Sequence, residues 1–187
     1  MGQLAECVKF CSQCGRPVTQ RVPTGDNLPR YVCDHCDIVH YQNPNIVTGC
    51  IPVYGDQILL CKRAIEPRYG LWTLPAGFME NAETLEQAAM RESMEEANAN
   101  VRLQGIYTVL SLPHANQVYV MYLAELLDTN FSAGSESLEV RLFNEEEIPW
   151  DALAFRTIHY TLKYFFEDRR RGQFEVRSHL VEPQGKK

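Results

Sequence analysis

The stretch GFMENAETLEQAAMRESMEEANA, Gly77–Ala99, governs how the rest of the chain is read. Placed on a helical wheel at about 100° per residue, Leu85, Ala88 and Ala89 form a narrow apolar stripe. Glu92 and Glu96 continue that stripe, with Glu95 beside them, where the pattern calls for buried residues. Met90, Met94 and Ala97 keep an apolar character on another side. Carboxylates three and four apart repel on an isolated helix by a few tenths of a kcal/mol per pair, roughly. They also stand near the helix C-terminus, where the macrodipole disfavours negative charge. Two local rules broken at one spot point to function. Hard oxygen ligands in this arrangement suit Mg²⁺ or Mn²⁺; the alternative is a solvated, charge-rich helix face. Arg91 is positioned to pair with Glu95 or Glu83 and hold the array.

Outward from the helix the texture is that of an α/β domain. Upstream, NIVTGCIPVYGDQILLCKRA reads as two apolar strands joined by a turn at Gly55-Asp56. A loop with Pro67, Gly70 and Pro75 leads from them to Gly77. Downstream, VRLQGIYTVLSL, QVYVMYLAELL and SLEVRLFN are rich in β-branched and aromatic residues and predict strands. ALAFRTIHYTLKYFFEDRRRG places Phe155, Ile158, His159, Leu162, Phe165 and Phe166 at helical spacing, and its RRRG run suits a helix C-terminus.

The net charge of −6 argues against a broad nucleic-acid footprint, which would show as a basic excess. It leaves room for a phosphorylated small molecule whose charge a metal neutralises. The N-terminus carries no signal-peptide pattern and no membrane-spanning apolar run follows, so a cytoplasmic protein with no membrane partner is expected. In such a compartment seven cysteines point to metal or packing before disulfides.

Four of them form two pairs, Cys11/Cys14 and Cys33/Cys36, with 18 residues between the pairs. That spacing predicts one tetrahedral Zn²⁺ site closed by four thiolates, structural rather than catalytic. The segment between the pairs is turn-rich and too poor in apolar residues to build its own core. A zinc-stapled appendage over 1–43 and an α/β domain over 44–187 follow. His35 and His40 could enter the shell, though four cysteines complete it. Cys50 and Cys61 read as small core residues, and Cys7 has no assigned role.

GFMENAETLEQAAMRESMEEANA resembles the Nudix box, G-x5-E-x7-R-E-U-x-E-E-x-G-U, with Gly77, Glu83, Arg91, Glu92, Glu95 and Glu96 in register. Ser93 stands where the family has an apolar residue and Asn98 where it has glycine. The zinc pairs, YQNP, LLCKR, GLWTLPAGF and ESLEVRLF extend the likeness to a zinc-ribbon group that includes the plant plastid ADP-ribose/FAD pyrophosphatase. The resemblance implies a Nudix α/β/α sandwich with a mixed sheet behind an N-terminal zinc ribbon. It also implies metal-dependent hydrolysis of a nucleoside diphosphate derivative, ADP-ribose and/or FAD, with release of AMP. In that reading Glu92, Glu95, Glu96 and the Ala76 carbonyl hold Mg²⁺ or Mn²⁺, Glu83 orients Arg91, and Gly77 opens the box.

Glu139, or else Glu136, supplies the further carboxylate such enzymes need. Lys62 and Arg63 are candidates for phosphate, and Tyr69 and Trp72 for stacking on the base. His114 lies in a loop that could reach the site. A homodimer is an expectation the resemblance leaves open. Two alternatives stand beside this reading. One is an NADH or NAD-capped-RNA pyrophosphatase, although LSLPHANQVYVMYLA lacks the S-Q-P-W-P-F-P motif of that group. The other is a non-enzymatic ligand-sensing module.

Overall fold

The computed structural model describes residues 8–183. They fall into two compact units, residues up to 44 together with 114–116, and 45–113 with the chain from 117 onward. Cys7 lies outside the described residues.

The first unit carries three short antiparallel strands in spatial order, β1 (Thr19–Arg21), β2 (Arg30–Val32) and β3 (Val39–His40). Strand β1 is exposed throughout, so apolar burial alone cannot stabilise so small a unit. What converges instead are the four cysteines, whose sulfur atoms all lie within 4.8 Å of one another. Cys11–Cys36 is 3.6 Å, Cys14–Cys33 is 3.5 Å and Cys14–Cys36 is 3.8 Å. Four sulfurs each about 2.3 Å from one ion would stand about 3.8 Å apart, so the set fits a structural Zn²⁺. Backbone N–H groups of Cys36 and His35 favour the Cys33 thiolate and hold its pKa down at about 6. Neither His35 nor His40 joins this set. Arg21 ties β1 to the second knuckle through Asp34 and Asp37. Stripping the metal with a strong chelator should therefore unfold residues 9–42, seen as loss of their amide-exchange protection. Site binding of about 10 kcal/mol or more is typical of such modules.

The second unit is an α/β/α sandwich around a mixed sheet. Its strands are β4 (Asn45–Tyr54), β5 (Gln57–Arg63), β6 (Trp72–Thr73), β7 (Ala76–Phe78), β8 (Val101–Leu112), β9 (Gln117–Leu126), β10 (Ser137–Phe143) and β11 (Arg177–Leu180). The spatial order is β10-β5-β4-β9-β8-β11, with β6 on β5 and β7 on β4. The β4–β9 and β8–β11 pairs are parallel and the others antiparallel.

Side-chain alternation sends Ile51, Ile58, Leu60 and Met121 to one face and Cys50, Leu59, Cys61, Val120 and Tyr122 to the other. Helix α1 (Leu85–Ala97) covers the second face through Ala89 and Ala97. Helix α2 (Arg156–Arg171) covers the first through Ile158, Leu162, Phe165 and Phe166. Both faces of the central strands are thus buried, which explains why β4 and β5 read as nearly continuous apolar runs. Among the described residues no helix is long and apolar enough to cross a membrane.

Several details depart from the sequence expectation. The segment before the helix contains β6 and β7 and is not a plain loop, and β11 was not anticipated. Phe155 is the N-cap of α2, and His159 is exposed while Thr157, Thr161 and Asp168 share the buried side. Met90 and Met94 are exposed, so the second apolar side of α1 faces solvent apart from Ala97.

Candidate active site

Helix α1 begins at a capping box in which Thr84 accepts from the Gln87 N–H and Gln87 accepts from the Thr84 N–H. Its buried side runs Ala88, Ala89, Glu92, Ser93, Glu96, Ala97, so the apolar stripe does pass into carboxylates. Glu92 is 9% and Glu96 5% exposed, whereas the Glu95 side chain is 58% exposed. Gly77 in β7 is what lets Glu92 sit there: a Cβ at that position would stand 2.4 Å from the Glu92 carboxylate. Any side chain at 77 would evict the glutamate. The Ala76 N–H donates to Glu96 Oε2 at 3.3 Å.

Arg91 spends its whole donor set locally. Nε and Nη2 grip the two Glu83 oxygens at 3.1 and 2.8 Å, and Nη2 also reaches the Phe78 carbonyl at 3.1 Å. Nη1 bridges Glu92 Oε1 at 2.7 Å and Glu95 Oε2 at 3.0 Å. A planar guanidinium with five fixed donors suits this joint task better than a lysine would.

Even so, the site carries excess buried negative charge. Burial, then the neighbouring Glu92, pushes the Glu96 carboxyl up from its ordinary 4.5 to about 8, with Glu136 adding to the effect. Burial also raises Glu92, against the pull of Arg91, and Glu136 again contributes. A carboxyl raised in the folded state weakens the fold when ionised. That cost is absent below about pH 4.5 and complete above about pH 8. Without added divalent metal, thermal stability should therefore fall between pH 5.5 and 8.5, and saturating Mg²⁺ should flatten the slope. Scanning calorimetry at the two pH values with and without Mg²⁺ checks this.

The remaining candidates separate clearly. Glu139 pairs with Lys62 across the strands at 3.8 Å, while Glu136 is the residue whose charge acts on both Glu92 and Glu96. A register shift between Ser137 and Glu139 in the β5–β10 pairing separates the two glutamates; no sequence alternation signals such a bulge. Arg63 is buried, donates from Nε to the Pro67 carbonyl at 3.0 Å, and lies over the Phe155 ring at 5.2 Å. Its charge acts on Glu96.

Trp72 lies in the core, edge-on to Phe143 with ring centroids 4.8 Å apart and Lys62 over its ring. Tyr69 is exposed. His114 is exposed in the 3₁₀ turn after β8. Ser93 is buried, donating to the Ala89 carbonyl at 2.8 Å and meeting Cys50 Sγ at 3.2 Å, so its polarity is satisfied.

The donor chemistry of Glu92, Glu95 and Glu96 fits a hard divalent cation: several carboxylate oxygens, two of the side chains buried, with more negative charge than Arg91 and Arg63 relieve. Among the described residues the four cysteines are the one group of His, Cys, Asp or Glu side chains already gathered as metal ligands. Arg91 bridges Glu92 and Glu95, while Glu96 accepts from the Ala76 N–H.

Two family descriptions match the chain, an N-terminal Nudix zinc ribbon over residues 9–42 and a NUDIX domain over 43–173. The chain belongs to the Nudix family. A crystal structure of a NUDIX hydrolase from Nitrosomonas europaea is 56% identical, with a TM-score of 0.90, over 94% of this chain and 99% of that one. The NAD-capped RNA hydrolase NudC of Salmonella paratyphi C is 32% identical over 79% of this chain, which spans only 57% of that relative's length. An ADP-ribose pyrophosphatase of Methanocaldococcus jannaschii is 27% identical over 58% of this chain and 67% of its own.

Proposed function

We propose that the chain hydrolyses the pyrophosphate bond of a nucleoside diphosphate derivative, ADP-ribose and/or FAD, and releases AMP. The observation that carries the reading is the burial of Glu92 and Glu96 against Gly77 and the Ala76 N–H, with Arg91 fixing the array. A protein keeps uncompensated carboxylates in a dry position at a cost to its own stability, and such sites are functional ones.

In this reading Glu92, Glu95, Glu96 and the Ala76 carbonyl hold Mg²⁺ or Mn²⁺. Bound divalent ions would neutralise the phosphates and acidify a water for attack at phosphorus. Glu136, the outside carboxylate whose charge acts on Glu92 and Glu96, would be the residue to take a proton from the attacking water. Glu139, which pairs with Lys62 at 3.8 Å, is the alternative for this role. Arg63 receives phosphate charge at the edge of the site. Tyr69, exposed in the loop before β6, is a candidate for contact with the base.

The names of the relatives favour two substrate classes, ADP-ribose in one and NAD-capped RNA in the other. We place ADP-ribose and FAD first because the S-Q-P-W-P-F-P motif is missing after the box. Chromatography of reactions with FAD, ADP-ribose and NADH, each with Mg²⁺ and with Mn²⁺, tests the choice. AMP together with FMN or ribose 5-phosphate, and little turnover of NADH, is the expected result. Preference for NADH would move the chain to the second class. No AMP from any of them would remove the hydrolase reading.

A further inference from the structure

The last position of the glutamate helix carries a device of its own. Asn98 closes α1 in the left-handed region, at φ 46° and ψ 32°, with its N–H on the Met94 carbonyl at 2.8 Å. Glycine adopts that conformation with less strain, so the side chain must be explained. It is hydrogen-bonded. Asn98 Nδ2 donates to both the carbonyl and the Oγ of Ser132, each at 3.1 Å.

Ser132 lies in the segment between β9 and β10, and that segment is laced to the end of α1. The Ser132 N–H donates to the Ala97 carbonyl at 2.9 Å and the Gly134 N–H to the Glu96 carbonyl at 3.0 Å. These bonds satisfy carbonyls that a helix end leaves without intrahelical partners. Gly134 is pressed so close that a Cβ would stand 1.7 Å from the Glu95 carbonyl oxygen. Two residues on comes Glu136, whose own carbonyl accepts from the Ala64 N–H at 2.8 Å after β5. The segment is therefore fastened at one end to the metal-binding helix and at the other to the sheet.

We propose that Asn98 is a positioning residue: through Ser132 it fastens the 132–136 segment to the end of α1 and so sets Glu136 against Glu92 and Glu96. The proposal rests on the reading of Glu136 given above and adds a residue that the reaction chemistry alone would not single out. The Asn98–Ser132 bonds are exposed, so water competes with them. Their loss should shift the carboxylate rather than unfold the segment.

Asn98→Gly separates the two roles of the residue, since glycine keeps the helix cap and removes only the amide. Amide exchange should quicken at Ser132 and Gly134 while the interior of α1 keeps its protection. With ADP-ribose and Mg²⁺, kcat should fall about 10-fold with KM within about 2-fold, a fraction of the ~100-fold that a 1 Å misplacement can cost. In a Glu136→Gln background the same substitution should cost almost nothing, because the two act on one step. Unchanged exchange at 132–134 would overturn the fastening. An equal loss of kcat with and without Glu136 would overturn the link to that carboxylate. A wild-type protein that turns over neither ADP-ribose, FAD nor NADH would sink the hydrolase reading instead, and the exchange measurement would still decide the fastening.

Discussion

Replacing Glu96 with glutamine should leave the protein folded and at least as stable, yet lower kcat by about 10³-fold. The two effects have opposite signs for one reason. Glu96 is 5% exposed and suffers the charge of Glu92 and Glu136, so its ionised form is held at a cost to the fold. Glutamine fills the same volume, still accepts from the Ala76 N–H, and removes that repulsion. It would also remove a hard anionic ligand from the proposed cation site, and several kcal/mol of transition-state stabilisation at about 1.4 kcal/mol per tenfold gives the stated loss. Denaturant midpoints and turnover of ADP-ribose, measured on the same preparation, check both halves. A site kept at the expense of stability behaves this way; an ordinary surface ion pair would lose little of either.

Asp168→Ala should destabilise the second unit by about 3 kcal/mol or more while leaving the site chemistry intact. Asp168 is fully buried near the end of α2. It accepts from the Tyr107 hydroxyl at 3.0 Å and the Glu175 N–H at 3.4 Å, and it pairs closely with Arg177. One carboxylate thus joins α2, β8 and the entry to β11. Alanine would strand the Tyr107 hydroxyl and the Arg177 Nη2 without their acceptor, and Arg177 already has a buried Nε without a partner.

Burial pushes the Asp168 carboxyl up, but Arg177 and Tyr107 outweigh it and leave the group below its ordinary 3.8. Its contribution is therefore present above about pH 4 and lost as pH falls further. Urea denaturation at neutral pH should show the loss, with Asp168→Asn intermediate because the amide oxygen still accepts. A midpoint unchanged in the alanine variant would mean that the network is ornamental.

The glutamate helix was legible because it contradicts itself: a run of small apolar residues whose buried side turns acidic has few purely structural explanations. The zinc-binding cysteines were legible because ligand spacing is a local property. What escaped depends on distant pairing. Strands β6 and β7 are two and three residues long and exist only because β5 and β4 lie beside them. Strand β11 has an exposed, polar alternation that gives no apolar signal. Which of Glu136 and Glu139 serves the helix glutamates depends on the bulge between them that sets the register of β10 on β5, and no local pattern shows it. Trp72 is ambiguous for a simpler reason: an aromatic residue between a glycine and a proline looks the same whether it only packs on Phe143 or also meets a base.

The most direct test of the central claim is a Mn²⁺ titration followed by electron paramagnetic resonance, with wild type and Glu96→Gln side by side. The account predicts that wild type binds the ion, that turnover of ADP-ribose follows its occupancy, and that the variant loses both. Equal Mn²⁺ binding by the two proteins, or hydrolysis indifferent to the metal, would contradict it.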